Sequence, residues 1–100
     1  MAADFKVVND EAGMKFEIEG EGEIAYLEYR FYKKDMAMMH TFVPKKLEGK
    51  GIASALAKEA FSYAEKLNKA VMVYCPFVAA FVKRHPEYRK QLDAEFHRSI

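Results

Sequence analysis

The chain has 100 residues, 51% of them hydrophobic, with eight Phe and six Tyr, a size and composition that predict one folded domain spanning 1–100 and exclude disorder. Its 16 basic residues against 15 acidic ones leave a net charge of +1, which offers no long-range field for nucleic acid or an acidic membrane. No apolar run approaches the roughly 20 residues that cross a bilayer, and the opening MAADFKVVND lacks the apolar core of a secretory leader, so a cytoplasmic protein is expected.

In chain order, Phe5 to Val8 reads as a short strand and Asn9 to Gly13 as a turn. Met14 to Glu19 alternates apolar and polar residues at period two, the pattern of a strand with one wet face. Gly20-Glu21-Gly22 signals a hairpin, after which Glu23 to Tyr32 alternates again and Met36 to Val43 gives a fourth strand. Short turns between four strands predict an antiparallel meander.

The period then changes. Ile52, Leu56, Ala60, Ala64 and Leu67 fall on one helical stripe beside Ala53, Ala57 and Phe61, with Asn68 as the stop. Val71 to Tyr74 is continuously apolar, as expected of a strand buried on both faces. Pro76 suits the first position of a second helix, which Pro86 bars from continuing. From Glu87 the tail is expected to be helical at first and then to fray. The fold class is therefore α+β: a mixed sheet in which a β-α-β crossover makes strands four and five parallel, followed by a short C-terminal helical segment. Both helices would then open at the same edge of the sheet, and that crevice is the candidate site.

The turn into the first helix is Gly49-Lys50-Gly51, with none of the Ser, Thr, Asp or Asn residues that normally cap a helix. Bare backbone amides at a helix start, carrying the positive end of the helix dipole, suit a phosphate; an ordinary tight turn using glycine for its positive φ is the alternative. Lys45, Lys46 and Lys50 add positive charge and Glu48 subtracts from it.

Cys75, the single cysteine, excludes an internal disulfide. It falls at the N-cap of the second helix, where the dipole favours negative charge, at the mouth of the crevice. Three readings apply to it: a small packed residue, a hydrogen-bond or proton donor, or a nucleophile. His40, in "HTFVP", is a candidate general base, although alternation sends His40 and Phe42 to one face of the strand and Thr41 to the other. Met36, Met38, Met39, Phe61 and Leu67 read as core. Lys83, Arg84 and His85 end the second helix, where cations are favoured.

The stretch Glu48-Gly49-Lys50-Gly51-Ile52-Ala53, taken with "HTFVP" before it and "CPFVAAFVKRHPEY" after it, resembles the short single-domain branch of the GNAT N-acetyltransferase superfamily, the GCN5-like or YjdJ-like proteins. The resemblance covers nearly the whole chain. It implies a GNAT-like sheet, acetyl-CoA (coenzyme A) as cofactor, and transfer of acetyl to an amine. The pyrophosphate would lie on the amides of Gly49, Lys50, Gly51, Ile52, Ala53 and Ser54, and the pantetheine would run beside Phe42 and Val43. Arg84 would reach the distal phosphate, while Cys75 and Phe81 would meet the thioester end.

The sequence departs from the superfamily pattern at three places. Glu48 stands where Gln or Arg opens the loop, Phe42 where many short members carry an acidic residue, and Val82 with Phe81 where a tyrosine often stands. A non-catalytic acyl-CoA-binding or sensor module is accordingly the alternative. The acceptor side, lacking the superfamily's N-terminal helices, would be open and suited to a protein or peptide amine, or completed by a second subunit in a homodimer.

Overall fold

The computed structural model describes residues 5–97. Five strands form one sheet in the order β1-β2-β3-β4-β5: β1 is Val8–Asp10, β2 Lys15–Gly20, β3 Glu23–Tyr32, β4 Asp35–Phe42 and β5 Ala70–Val73. The first four pair antiparallel, and β4 with β5 parallel. Helix α1, Ile52–Lys66, makes the crossover, and α2, Pro76–Arg84, follows β5. The mixed sheet expected from the sequence is thus present. No helix among the described residues is long and apolar enough to cross a membrane.

Local chemistry accounts for most boundaries. The β2–β3 hairpin turns on Glu21 and Gly22 at φ 50° and 78°, two positive values that match the twist of a tight hairpin. Helix α1 ends in a 6→1 bond from Lys69 N to Ala64 O and a bond from Asn68 N to Glu65 O, with Asn68 at φ 57°. Asparagine thus serves as the left-handed stop.

The core lies between α1 and one face of the sheet. Phe16, Ile18, Leu27, Met36, Met38 and Val71 face Leu56, Ala60, Phe61 and Ala64, all buried. Removing a side chain of this size from water contributes about 1.5–3 kcal/mol. Phe81 of α2 stacks on Phe61 at 6.2 Å, and Tyr88 closes over Phe61 at 4.9 Å.

The structure corrects several expectations. The first strand is Val8–Asp10, starting at the last residue of the expected strand and running two residues into the stretch read as a turn, because Asn9 Oδ1 accepts the buried Tyr29 hydroxyl at 2.8 Å. That tertiary bond holds turn-favouring residues in the sheet. Tyr74 lies beyond β5 and is exposed, and Leu67 is also exposed. The tail is helical at first, as a 3-10 helix over Pro86–Gln91. Leu92 then bridges to Val71 in parallel on the free side of β5, Asp93 N donates to Val71 O at 2.9 Å, and Val73 N donates to His97 Nε2 at 2.8 Å. The last three residues of the expected tail lie outside the described range.

One irregularity positions the site. Opposite Glu28 and Tyr29, β4 gains an extra residue, Met39, so the register passes from Tyr29↔Met38 to Glu28↔His40. The bulge inverts the alternation. Met36 and Met38 point into the core, whereas His40 and Phe42 point to the opposite face and Thr41 inward.

Candidate functional site

Pairing between β4 and β5 ends at Met38↔Val73. Beyond it, the amides of Tyr74 and Cys75 both donate to Met38 O, at 3.0 and 3.2 Å, and the chain turns away into α2. From the bulge to Phe42, β4 keeps β3 as its only strand partner among the described residues. A cleft of about 380 Å³ opens at this parting, walled by Thr41 and Val43 after the bulge, by Leu47 to Gly49, by Gly51 to Ser54 at the start of α1, and by Phe77 and Arg84 of α2.

Its floor is the uncapped end of α1. Gly51 is the N-cap at φ 80° and Gly49 lies at φ 79°; neither has an atom within 4 Å of where a Cβ would stand. Glycine is therefore required by the backbone angle and leaves the space in front of the amides clear. No side chain caps this helix, and the amides of Gly49 to Ser54 make no hydrogen bond among the described residues. Such donors need water or a ligand. The apolar wall of Val43, Leu47, Ile52 and Phe77 continues from these amides to Thr41.

Behind the wall, Cys75 is 2% exposed at the N-cap of α2, and its thiol donates to Thr41 Oγ1 at 3.3 Å. Thr41 faces the cleft, so its hydroxyl joins the cleft to the buried sulfur.

Of the residues singled out in the sequence, Val43, Gly49, Gly51, Ile52, Ala53, Ser54 and Arg84 share the cleft wall, and Cys75 lies one contact behind it. Others stand elsewhere. His40 is exposed on the outer sheet face, 6.0 Å from the Tyr26 ring, and Phe42 leans on the same ring at 5.6 Å. Phe81 is fully buried in the core. Lys50 turns to the β2–β3 hairpin, where its Nζ donates to Glu21 Oε2 at 2.8 Å, and Lys46 lies 4.0 Å from Glu23, so both lysine charges are answered by carboxylates. Sequence reasoning passed over Thr41 and Phe77. For Thr41 the available signal was its alternation opposite His40; for Phe77, its position one residue after Pro76 at a helix opening.

The sheet thus parts beside its parallel strand pair, with a bare helix N-terminus in the gap. A family model described as GCN5-related N-acetyl-transferase matches residues 15–92. The chain belongs to that family. Protein NATD1 of Danio rerio is 30% identical over 92 residues, covering 87% of this chain and 84% of that one. Protein NATD1 of Xenopus tropicalis is 28% identical over 88 residues, covering 85% and 81%. The NMR solution structure of a GCN5-like protein from Staphylococcus aureus shares the fold, with a TM-score of 0.69 at 24% identity over 93% of this chain and 95% of that one.

Proposed function

We propose that this protein is an acetyl-CoA-dependent N-acetyltransferase acting on an amine. The row of unpartnered amides at the start of α1, opening onto an apolar channel that leads to the Thr41–Cys75 pair, is the observation that carries the reading.

These groups fit the cofactor chemically. The amides of Gly51, Ile52, Ala53 and Ser54, together with the helix dipole, suit a diphosphate, and Arg84 supplies the one guanidinium on the cleft wall. Glu48 on the same wall opposes it. Val43, Leu47, Ile52 and Phe77 exclude water from an alkyl-amide arm. When bound, acetyl-CoA supplies an activated thioester. Thr41 Oγ1 then holds a hydrogen bond towards the cleft end and can pass a proton, with Cys75 Sγ behind it as donor. Burial of the sulfur favours this positioning role over direct nucleophilic attack.

A second reading, an acyl-CoA-binding module without turnover, draws on one observation: the cleft wall contains no histidine, and its one carboxylate, Glu48, sits at the amide end.

Thermal denaturation with acetyl-CoA tests the shared premise, since a ligand that binds the folded state alone raises the melting temperature, here by about 10 °C near saturation. No rise at millimolar ligand would overturn both readings. Release of free thiol with a panel of amines separates them, and its absence across the panel would leave only the binding module.

A further inference from the structure

The outward face of β2, β3 and β4 carries an aromatic floor with carboxylates set into it. Register places Glu17, Tyr26 and Phe42 side by side, then Lys15, Glu28 and His40 in the next row, with Glu19 opposite Ile24 beyond Glu17 and Tyr26. Ile24 and Phe42 are 48% and 46% exposed. Glu17, Glu19 and Glu28 form no ion pair or side-chain hydrogen bond among the described residues. Three carboxylates thus share this face with two cations, Lys15 and Arg30. Arg30, the next outward residue along β3, donates to its neighbour's carbonyl, Tyr29 O, at 2.7 Å.

Lys15 shows what such a surface takes. Its Nζ lies over the Tyr26 ring, 5.1 Å from the centroid. A lysine from another chain would find carboxylates unengaged within the protein for its ammonium and, beside that ring, exposed Ile24 and Phe42 as an apolar bed for its stem.

The position matters as much as the chemistry. His40 and Phe42 belong to this face, while Thr41 between them belongs to the cleft. One strand separates the two, and its edge is free because β5 has stopped pairing. Resting on the acyl-transfer reading, we propose that this face docks the acceptor as a lysine-bearing, basic stretch of polypeptide, delivering an amine across the free edge of β4.

The test is an amide-shift titration of the whole chain by NMR, using a lysine-rich peptide blocked at both ends. Shifts are expected at residues 15–19, 24–28 and 40–42, and the same peptide with acetylated lysines should bind far more weakly. The combined variant Glu17→Gln, Glu19→Gln, Glu28→Gln should bind about tenfold more weakly and raise KM by a similar factor with little change in kcat. Its response to acetyl-CoA in thermal denaturation should stay unchanged. Equal binding by the variant, shifts mapping elsewhere, or a concentration-dependent dimer burying these residues would each overturn the proposal. Peptide binding at this face without any acetyl-CoA response would support the docking surface while removing the acyl-transfer reading.

Discussion

The two ends of β5 treat their polar groups in opposite ways. At the end joined to α2, the strand stops pairing, α1 opens without a cap, and a row of amides faces a cleft with no protein partner among the described residues. Towards the other end the C-terminal segment folds back and closes the strand's free edge through Leu92 and Asp93 at Val71, with His97 reaching along that edge as far as Val73. There, burial pushes the Asp35 carboxyl above the usual carboxylate range, and its hydrogen bond to Asp93 holds Asp93 below it. One end leaves donors for something else to satisfy. The other satisfies its own groups, except for Asp35 Oδ1, which lacks a partner.

Replacing Gly51 strikes the open end hardest. Gly51→Val forces a branched residue to φ 80° and fills the space before the amides, so the acetyl-CoA-induced rise in melting temperature should vanish. Gly22→Val, at φ 78° in the hairpin, should cost a similar 1–3 kcal/mol or so of strain yet keep the response to acetyl-CoA. Loss of the response in both variants would mean that strain, not the cleft, is being measured.

Thr41→Val keeps the shape and removes the hydroxyl that meets Cys75. Turnover in the thiol-release assay should fall about 100-fold, with acetyl-CoA binding retained and activity recovered in Thr41→Ser. A rate unchanged in Thr41→Val would remove the hydroxyl from the mechanism.

Two variants sharpen the closed end. The raised Asp35 carboxyl contributes stability that is fully present below the unfolded value of about 3.9 and lost as pH rises through its folded value. Asp35→Asn supplies a permanent donor to Asp93, so urea unfolding at neutral pH should show a gain of about 1 kcal/mol. The opposite trend from Asp93, present at higher pH and lost on acidification, should remain.

The smallest effect concerns His97. Burial lowers its pKa, against the charge of Asp93, and its neutral Nε2 accepts the Val73 amide. That contribution is present above about pH 6.5 and is lost as pH falls below it. Protection of the Val73 amide from hydrogen exchange should drop about fivefold on acidification, and His97→Ala should abolish the dependence.

Much of this was legible in the chain itself. Alternation over Lys15–Gly20 and Glu23–Tyr32, the apolar stripe of α1, and Pro76 at the start of α2 are local signals, because side-chain periodicity and fixed φ angles act within a few residues. So is the uncapped glycine turn, and with it the amide floor of the cleft. The long-range pairings were not legible. Asn9 and Asp10 carry turn residues and still form a strand because Tyr29, 20 residues further on, bonds to Asn9. The 3-10 tail closes β5 through contacts that no period in the sequence records.

What the sequence determined by itself was the set of elements and the bare donors at one helix start, since both follow from interactions between near neighbours. What only the tertiary structure decided was which side chains share a wall. A single extra residue at Met39 carries His40 and Phe42 to the outer face and brings Thr41 to Cys75. Where such a bulge falls depends on how β4 fits between β3 and β5, a competition among strands that are distant in sequence.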